Sequence, residues 1–289
     1  MNLSQHIING LVLGHVYALV AIGWTLLLGV ARMVNFGHGQ FYMLGAFMAW
    51  FGMNRLGLPY ALSVPFAMLA VAALGALMQR TMLKLTLAQN LTSMMMVTLG
   101  FGLVIEGVSG LVFGSNPQFV KTPLNRMEFT MGELWVTGRD VAAVIVAIVA
   151  FIALSWVLRR TRAGAWVRMV AEDPHLAKLG GIKVTRVYVG VFAFEGAAVA
   201  LAASIAAFNV PILTSMGFEE TILTFVVVVL GGVGSIRGSY LAGIGLGLFT
   251  ALFGALVSPA YSTAAAFLVL ILILVLRPAA LAGAGRAAH

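Results

Sequence analysis

Long apolar runs without charge constrain the fold of this chain more than any other feature. Residues 141–158 and 264–276 hold no charged side chain. A helix needs about 20 mainly apolar residues to cross a membrane, and these runs lack the polar alternation of barrel strands. Of 289 residues, 61% are hydrophobic and only 9% charged, whereas soluble domains carry about 25%. The sequence predicts an all-α, polytopic membrane helical bundle that forms a single domain over residues 1–289.

Nine apolar segments are candidate membrane spans. The seventh is short and runs into several glycines, so a half-helix or a re-entrant segment is an alternative to a full span. We therefore expect eight to nine transmembrane segments. The candidates are residues 7–30, 36–53, 60–83, 91–113, 141–158, 187–208, 221–230, 240–256 and 262–276.

The polar segment 159–186 predicts the orientation of the chain. It contains seven of the 17 basic residues and only two acids, Glu172 and Asp173. Because cytoplasmic loops are enriched in Lys and Arg, this segment is expected inside. The N-terminus and the loop 114–140 then lie outside, as does the turn 211–220, and the C-terminal tail with Arg277 and Arg286 is cytoplasmic. The net charge of +8 is accounted for in this way, so the expected partner is the lipid bilayer and not nucleic acid.

The first part of this cytoplasmic loop has helical periodicity. Its apolar residues fall at the i, i+3, i+4, i+7 spacing of one helix face. Arg168 and Glu172 lie off that face. We expect an amphipathic helix whose apolar residues are Ala163, Trp166, Val167 and Val170.

The second part of the loop has both a start and a stop signal for a helix. Asp173 is a good N-cap and Pro174 suits the first helical position. Gly180 and Gly181 form a C-terminal stop, which leaves a helix of about six residues. Such a helix is unstable alone in water, so it is expected to dock on a partner. The alternative is a basic loop that lies on lipid headgroups.

Polar residues inside apolar segments are the candidates for a transport pathway. Asn35, His38 and Gln40 lie at the start of the second apolar segment, where they either line a path or cap and bridge helix ends. Glu106 and Glu195 lie within spans. An ionised carboxyl at a helix centre costs about 2.5 kcal/mol or more, so each is expected to face the bundle interior. Either they contact a substrate's ammonium or amide, or they are structural.

Glycines interrupt the stretches 28–46 and 230–248, one near each end of the chain. Glycine-broken spans in matching places are a sequence indication of a transport pathway. This adds Gly231, Gly232 and Gly234 to the candidates. Alternatively, the glycines permit close helix packing.

Several classes of function are excluded by what the sequence lacks. No P-loop occurs, so ATP would be bound by another chain. The chain has no cysteine and therefore no thiol chemistry. Residues 107–110 match the G-x-S-G pattern of intramembrane serine proteases, but no histidine lies on a later span to act as the base. We predict no enzyme activity, catalytic residue, cofactor or metal site.

Four segments together resemble a known family: residues 9–23, 34–40, 168–182 and 230–238. In this combination and order the chain resembles the LivH-type permeases of bacterial ABC importers for branched-chain amino acids. The resemblance implies a multi-pass permease of the bacterial inner membrane. It also implies a second, LivM-like permease, two cytosolic ATP-binding subunits and a periplasmic substrate-binding protein.

In that family the inner loop carries the helix that fits a groove on the ATPase. The chain departs from the family at Gln40, usually an acid, and at Glu195, usually small or apolar. Relatives of this family carry urea, short amides or aromatic acids, so these solutes remain alternatives to branched-chain amino acids. A self-contained secondary transporter or channel remains the alternative function. The ATPase-coupling residues that the resemblance implies are Arg168, Glu172, Asp173, Pro174, His175, Leu176, Leu179 and Gly181.

Overall fold

The computed structural model describes residues 3–85, 91–120, 128–131, 134–207 and 210–276. Within these ranges the chain is predominantly helical, as the apolar runs predict. The elements are α1 (Leu3–Ala31), α2 (His38–Asn54), α3 (Tyr60–Leu85), α4 (Leu91–Phe113), β1 (Glu128–Met131), β2 (Leu134–Thr137), α5 (Gly138–Arg160), α6 (Arg162–Glu172), α7 (Pro174–Leu179), α8 (Val184–Ala206), α9 (Met216–Gly231), α10 (Ile236–Leu256) and α11 (Ser262–Leu276).

Six of the described helices are long and apolar enough to cross a membrane: α1, α3, α4, α5, α8 and α10. Three further apolar helices are shorter, since α2, α9 and α11 have 17, 16 and 15 residues. The helices establish a multi-pass membrane protein. The finer count of eight to nine spans remains a prediction.

Two helices begin earlier in the chain than predicted, so the predicted ends of both outer loops are wrong. Helix α9 begins at Met216, so Glu219 and Glu220 belong to its first turns and not to a turn outside the helix. Helix α5 begins at Gly138, because Thr137 and Asp140 form a capping box there. The loop predicted over 114–140 therefore ends before α5.

The predicted inner loop is also shorter at both ends. Residues 159–160 complete α5, and residues 184–186 open α8, which leaves the loop at 161–183. Helices α4 and α11 begin and end at the predicted residues. Phe208, the predicted end of the sixth span, and the tail with Arg277 and Arg286 lie outside the described residues.

A β-hairpin that the sequence analysis missed lies between α4 and α5. Strands β1 and β2 pair antiparallel, with Glu128 opposite Thr137. The side chain of Gln5 holds the hairpin to α1, since its amide nitrogen donates to the carbonyl of Trp135 and its oxygen accepts from the backbone N–H of Trp135, both at 2.8 Å. The start of α1 and the hairpin therefore lie at the same end of the bundle.

Helix α1 lies at the centre of the bundle, with 78% of its most apolar stretch buried. Its glycines allow α10 to approach closely. A Cβ atom on Gly14 would lie 2.6 Å from the Cα of Ile244, and one on Gly247 would lie 2.2 Å from the nitrogen of Gly14. Such close packing of small residues is typical of membrane helices. By contrast α4 and α5 are only 22% and 17% buried, so they lie at the periphery.

Candidate functional site

Three polar side chains from the candidate pathway meet inside the bundle: Asn35, His38 and Glu195. Oε1 of Glu195 lies 2.8 Å from Nδ1 of His38, and the amide of Asn35 donates to both carboxyl oxygens at 3.1 and 3.2 Å. All three residues are fully buried. A buried carboxyl is stable only with hydrogen-bonding or charged partners. In this conformation both oxygens of the Glu195 carboxyl have partners, and we call the three residues the buried cluster.

The start of α2 is held in place by hydroxyl groups from two other helices. The N–H of Phe36 donates to Oγ1 of Thr98 on α4 at 3.1 Å. The N–H of Gly39 donates to Oγ1 of Thr221 on α9 at 3.0 Å. The first N–H groups of a helix have no partner within it, so the Thr221 hydroxyl supplies the missing bond of Gly39, while Thr98 holds Phe36 just before the helix. They fix the segment that carries the buried cluster.

Trp24 of α1 covers the buried cluster from one side. Its ring stacks on His38 with centroids 5.0 Å apart and an interplanar angle of 15°. Within the described part of the chain, Nε1 of Trp24 and Nε2 of His38 have no hydrogen-bond partner. Buried polar atoms are normally paired. An acceptor oxygen that reached the indole N–H would therefore form a hydrogen bond that this conformation lacks.

Gln40 and Glu106 form a separate polar contact between α2 and α4. The amide nitrogen of Gln40 donates to Oε2 of Glu106 at 3.3 Å. Gln40 is buried and Glu106 is half-buried. No hydrogen bond between described residues joins this pair to Glu195. The predicted pathway residues therefore form two groups, one enclosed and one on the more exposed helix α4.

The predicted pathway glycines form the turn between α9 and α10. Gly232 and Gly234 have φ angles of +86° and +81°, which glycine adopts without steric cost. A Cβ atom on Gly231 would lie 2.3 Å from the nitrogen of Ser239. These glycines are thus required by the turn and by the close contact of the two helices.

The two glycine-broken stretches of the sequence meet at this turn. A Cβ atom on Gly29 of α1 would lie 2.9 Å from the Cα of Gly234. Gly23, six residues earlier on α1, packs instead on the backbone of Glu195. At 1.5 Å per residue the glycine turn and the buried cluster are about 9 Å apart along α1. The glycines therefore do not belong to the buried cluster.

Helix α6 forms where the periodicity predicts it, but its predicted apolar face is only partly buried, since Ala163 and Trp166 are exposed. The hydroxyl of Thr161 caps the helix by accepting from the N–H of Gly164 at 3.1 Å. Val170 is fully buried against the bundle, whereas Trp166 and Met169 are 52% and 47% exposed. Two coupling candidates, Arg168 and Glu172, are also exposed.

Helix α7 has the start, length and stop that its sequence predicts. Oδ1 of Asp173 accepts from the N–H groups of His175 and Leu176 at 2.7 and 3.0 Å. These two bonds stabilise the charged carboxylate and hold the pKa of Asp173 below its usual value. After the helix, Gly181 has a φ angle of +82°, which reverses the chain toward α8.

The two faces of α7 differ sharply. Ala177 is 1% exposed and anchors the helix to the bundle. Leu176 and Leu179 are 63% and 73% exposed, and His175 beside them is exposed too. Outside the apolar spans, large exposed apolar side chains that lie together indicate a binding surface. We call α6 and α7 together the coupling element.

Arg32 connects the coupling element to the buried cluster. Its guanidinium donates to the carbonyl of Ala171 on α6 at 3.4 Å. Its own backbone has φ +52°, an uncommon angle for a residue with a side chain. Three residues later Asn35 contacts Glu195. The linker between α1 and α2 therefore touches the coupling element at one end and holds the buried cluster at the other.

Sequence reasoning missed the residues that complete the site. It did not single out Trp24, Thr98 or Thr221 within their apolar helices, nor Arg32 as a contact of α6. A polar atom inside an apolar span is the signal that could have identified the first three, because such atoms need partners in a membrane.

Comparison with known proteins identifies relatives along nearly the whole chain. The family model described as "Branched-chain amino acid transport system / permease component" matches residues 6–276. The permease BraD of Pseudomonas aeruginosa is 30% identical over 293 residues, which cover 96% of this chain and 95% of BraD. LivH of Escherichia coli K12 is 30% identical over 294 residues, with the same shares covered. LivM of Salmonella typhimurium is 26% identical over 249 residues, which cover 76% of this chain and 57% of LivM.

The match extends from α1 to α11 and includes the buried cluster, the coupling element and the glycine turn. The resemblance in the four sequence segments is thereby confirmed. The relatives are transport components and not enzymes. The chain belongs to the family of permease components of branched-chain amino acid transport systems.

Proposed function

We propose that this chain is a permease subunit of an ABC importer that moves branched-chain amino acids into the cell. The observation that carries the proposal is α7, a six-residue helix that exposes Leu176 and Leu179. A helix this short and apolar on one side is suited to a groove on a partner. The family match supports the substrate class.

The proposed partners are two cytosolic ATP-binding subunits, a LivM-like second permease and a periplasmic substrate-binding protein. The 26% identity with LivM supports a pair of related permeases. The proposed location is the bacterial inner membrane, with the N-terminus outside and the C-terminus in the cytoplasm. The contact of Gln5 with Trp135 supports an outer side shared by the N-terminus and the hairpin. Counting α2, α9 and α11 as spans would give nine.

The binding protein would dock on the outer segments, chiefly residues 114–137 and 211–215. These two segments are bridged, since the backbone N–H of Gln118 donates to the carbonyl of Ile212 at 3.1 Å and the reverse bond is 2.8 Å. Phe129 and Trp135 of the hairpin are about half exposed. The bridge would let a loaded binding protein act on both segments together.

ATP would act on the opposite side. The ATP-binding subunits would hold α7 by Leu176 and Leu179 and move the coupling element with each cycle. The hydrogen bond from Arg32 to Ala171 supports a route from α6 into the α1–α2 linker. The bundle would then alternate between outward-open and inward-open states around the buried cluster.

The solute path would run beside α4, between this subunit and the second permease. Glu106 and Gln40 support this position, because they form a polar contact between α2 and α4, and α4 is only 22% buried. Asn35, His38 and Glu195 are closed off in this conformation and would join the path in another. The glycine turn at Gly231–Gly234 would let α9 and α10 shift relative to each other where the two helices meet.

The test is ATP-dependent uptake of labelled leucine into proteoliposomes that contain the complete importer. The double variant L176D/L179D should lose ATPase binding and reduce uptake about tenfold or more, since charge replaces the apolar contact. The control L176M/L179M keeps the apolar surface and should transport normally. Unchanged uptake and ATPase retention in L176D/L179D would contradict the proposal.

A self-contained secondary transporter is the second candidate, favoured by the buried contact of His38 with Glu195. Histidine and carboxylate side chains inside membrane spans mark the ion pathways of many transporters. The purified chain alone would then take up solute along a proton gradient without ATP, and E195Q would abolish this uptake. Competition by urea, short amides and aromatic acids in the same assays would decide among the alternative solutes.

A further inference from the structure

Three arginines from distant parts of the sequence line one cavity. The cavity, about 320 Å³ in volume, lies between the end of α5 and the start of α10. Arg159 and Arg160 belong to the last turn of α5, and Arg237 belongs to the first turn of α10. The rest of the lining comes from α5 and is mostly apolar, and it includes Ile152 and Trp156.

Among the residues that the structure describes, no acidic side chain compensates the charge of this cavity, because none is among those that line it. The close contacts between basic and acidic side chains among the described residues are His38–Glu195 and Arg139–Asp140, so none of the three arginines has an acidic partner among them. The positive end of α10 and the negative end of α5 both lie at the cavity and offset each other, so its positive charge comes from the three guanidinium groups. The cavity therefore attracts an anion.

The apolar wall distinguishes a lipid from a free anion. Ile152 and Trp156 are 59% and 60% exposed, on a candidate span that is only 17% buried. A surface of this kind faces acyl chains. Trp residues are enriched where the hydrocarbon meets the headgroups, and Trp156 lies one helical turn from Arg159 and Arg160.

We propose that this cavity is a binding site for one anionic phospholipid. Its phosphate contacts Arg159, Arg160 and Arg237, whose planar guanidinium groups can hold phosphate oxygens in pairs. One acyl chain lies along Ile152 and Trp156. Basic pockets between membrane helices recognise lipid headgroups in this way. The lipid joins α5, which leads into the coupling element, to α10, which follows the glycine turn.

The test measures lipid retained by the full-length chain purified in detergent. The chain is incubated with equal amounts of phosphatidylglycerol and phosphatidylcholine, and retained lipid is counted by native mass spectrometry. The wild type should retain more phosphatidylglycerol than phosphatidylcholine. In R159Q/R160Q/R237Q this preference should fall about tenfold or more, since each cation near a headgroup contributes severalfold. The matched variant R162Q/K183Q/R186Q removes three nearby cations that do not line the cavity and should keep the preference.

Three results would overturn the proposal. The first is equal retention of the two lipids by the wild type. The second is retention of phosphatidylglycerol by R159Q/R160Q/R237Q at the level of the wild type. The third is an equal loss of the phosphatidylglycerol preference in both triple variants, which would indicate a diffuse basic surface. If R159Q/R160Q/R237Q does not fold, the single variant R237Q is tested instead, because it leaves Arg159 and Arg160 at the end of α5 intact. R237Q should lose the preference severalfold, and R237K should recover part of it. An unchanged preference in R237Q would refute the site.

Discussion

The buried cluster and helix α7 are built in opposite ways. In the cluster, Glu195 is fully buried and held by Asn35 and His38 from 160 and 157 residues earlier. At the start of α7, Asp173 is only half-buried, and it accepts from the N–H groups of His175 and Leu176, two and three residues later. One region depends on the whole bundle being folded, and the other needs only its own sequence and one anchor.

This difference predicts how each region responds to change. A buried polar group that loses its partner has no water to replace it, so a change in the cluster should damage the fold. The exposed side chains of α7 make few contacts within the chain, so a change there should affect binding and spare the fold. The two regions can therefore be separated by measuring stability and partner binding on the same variants.

The largest expected effect is that of E195A on stability. Removing this carboxyl leaves Asn35 and His38 buried without their acceptor, and breaking a buried pair costs about 3–5 kcal/mol. The thermal unfolding midpoint of the purified chain should fall markedly. E106Q is the matched control and should change it far less, because Glu106 is half-buried. An unchanged unfolding midpoint in E195A would show that the buried cluster does not stabilise the fold.

The next effect is that of D173A/P174G on partner binding. Without the cap and the preset first residue, α7 loses its start signals, and ATPase co-purification should fall severalfold while the unfolding midpoint stays near that of the wild type. D173N is the control, since Asn caps helices as well as Asp does. A fall in stability as large as that of E195A would show that the two regions do not differ in this way.

A smaller effect is expected from Arg32, which lies between the two regions. R32A should lower uptake severalfold by removing the bond to Ala171, while ATPase binding and the buried cluster remain. R32G removes the same bond but accepts the φ angle of +52° without strain, so it should be more stable than R32A. Equal uptake by wild type and R32A would break the proposed link.

The smallest effect is a pH dependence of α7. Because the pKa of Asp173 is lowered in the folded chain, its cap is fully effective above the usual value of 3.8 and is lost as the pH falls through the lowered value. Hydrogen exchange at the amides of His175 and Leu176 should be slow at neutral pH. The exchange rate, compared with that of D173N at the same pH, should rise only below the usual pKa of 3.8. A rise near pH 6 would assign the change to another group.

The same contrast explains which features the sequence could predict. Helix α7 was predictable because Asp173, Pro174 and Gly181 are local signals within nine residues. The contact of His38 with Glu195 was not, since nothing in one sequence relates positions on separate helices. The hairpin was missed because its four-residue strands are too short for a clear alternation. Glu219 and Glu220 suggested a turn, yet α9 accommodates them in its first turns.

One contact near the buried cluster limits how the bundle can change shape. A Cβ atom on Gly39 would lie 1.6 Å from the carbonyl oxygen of Gly217, and one on Gly217 would lie 2.7 Å from that of Gly39. The backbones of α2 and α9 thus touch without side chains between them. A shift of one helix along the other by a residue would bring a bulkier residue into this gap. This contact therefore opposes sliding of α2 along α9, and we expect a hinge of the bundle elsewhere.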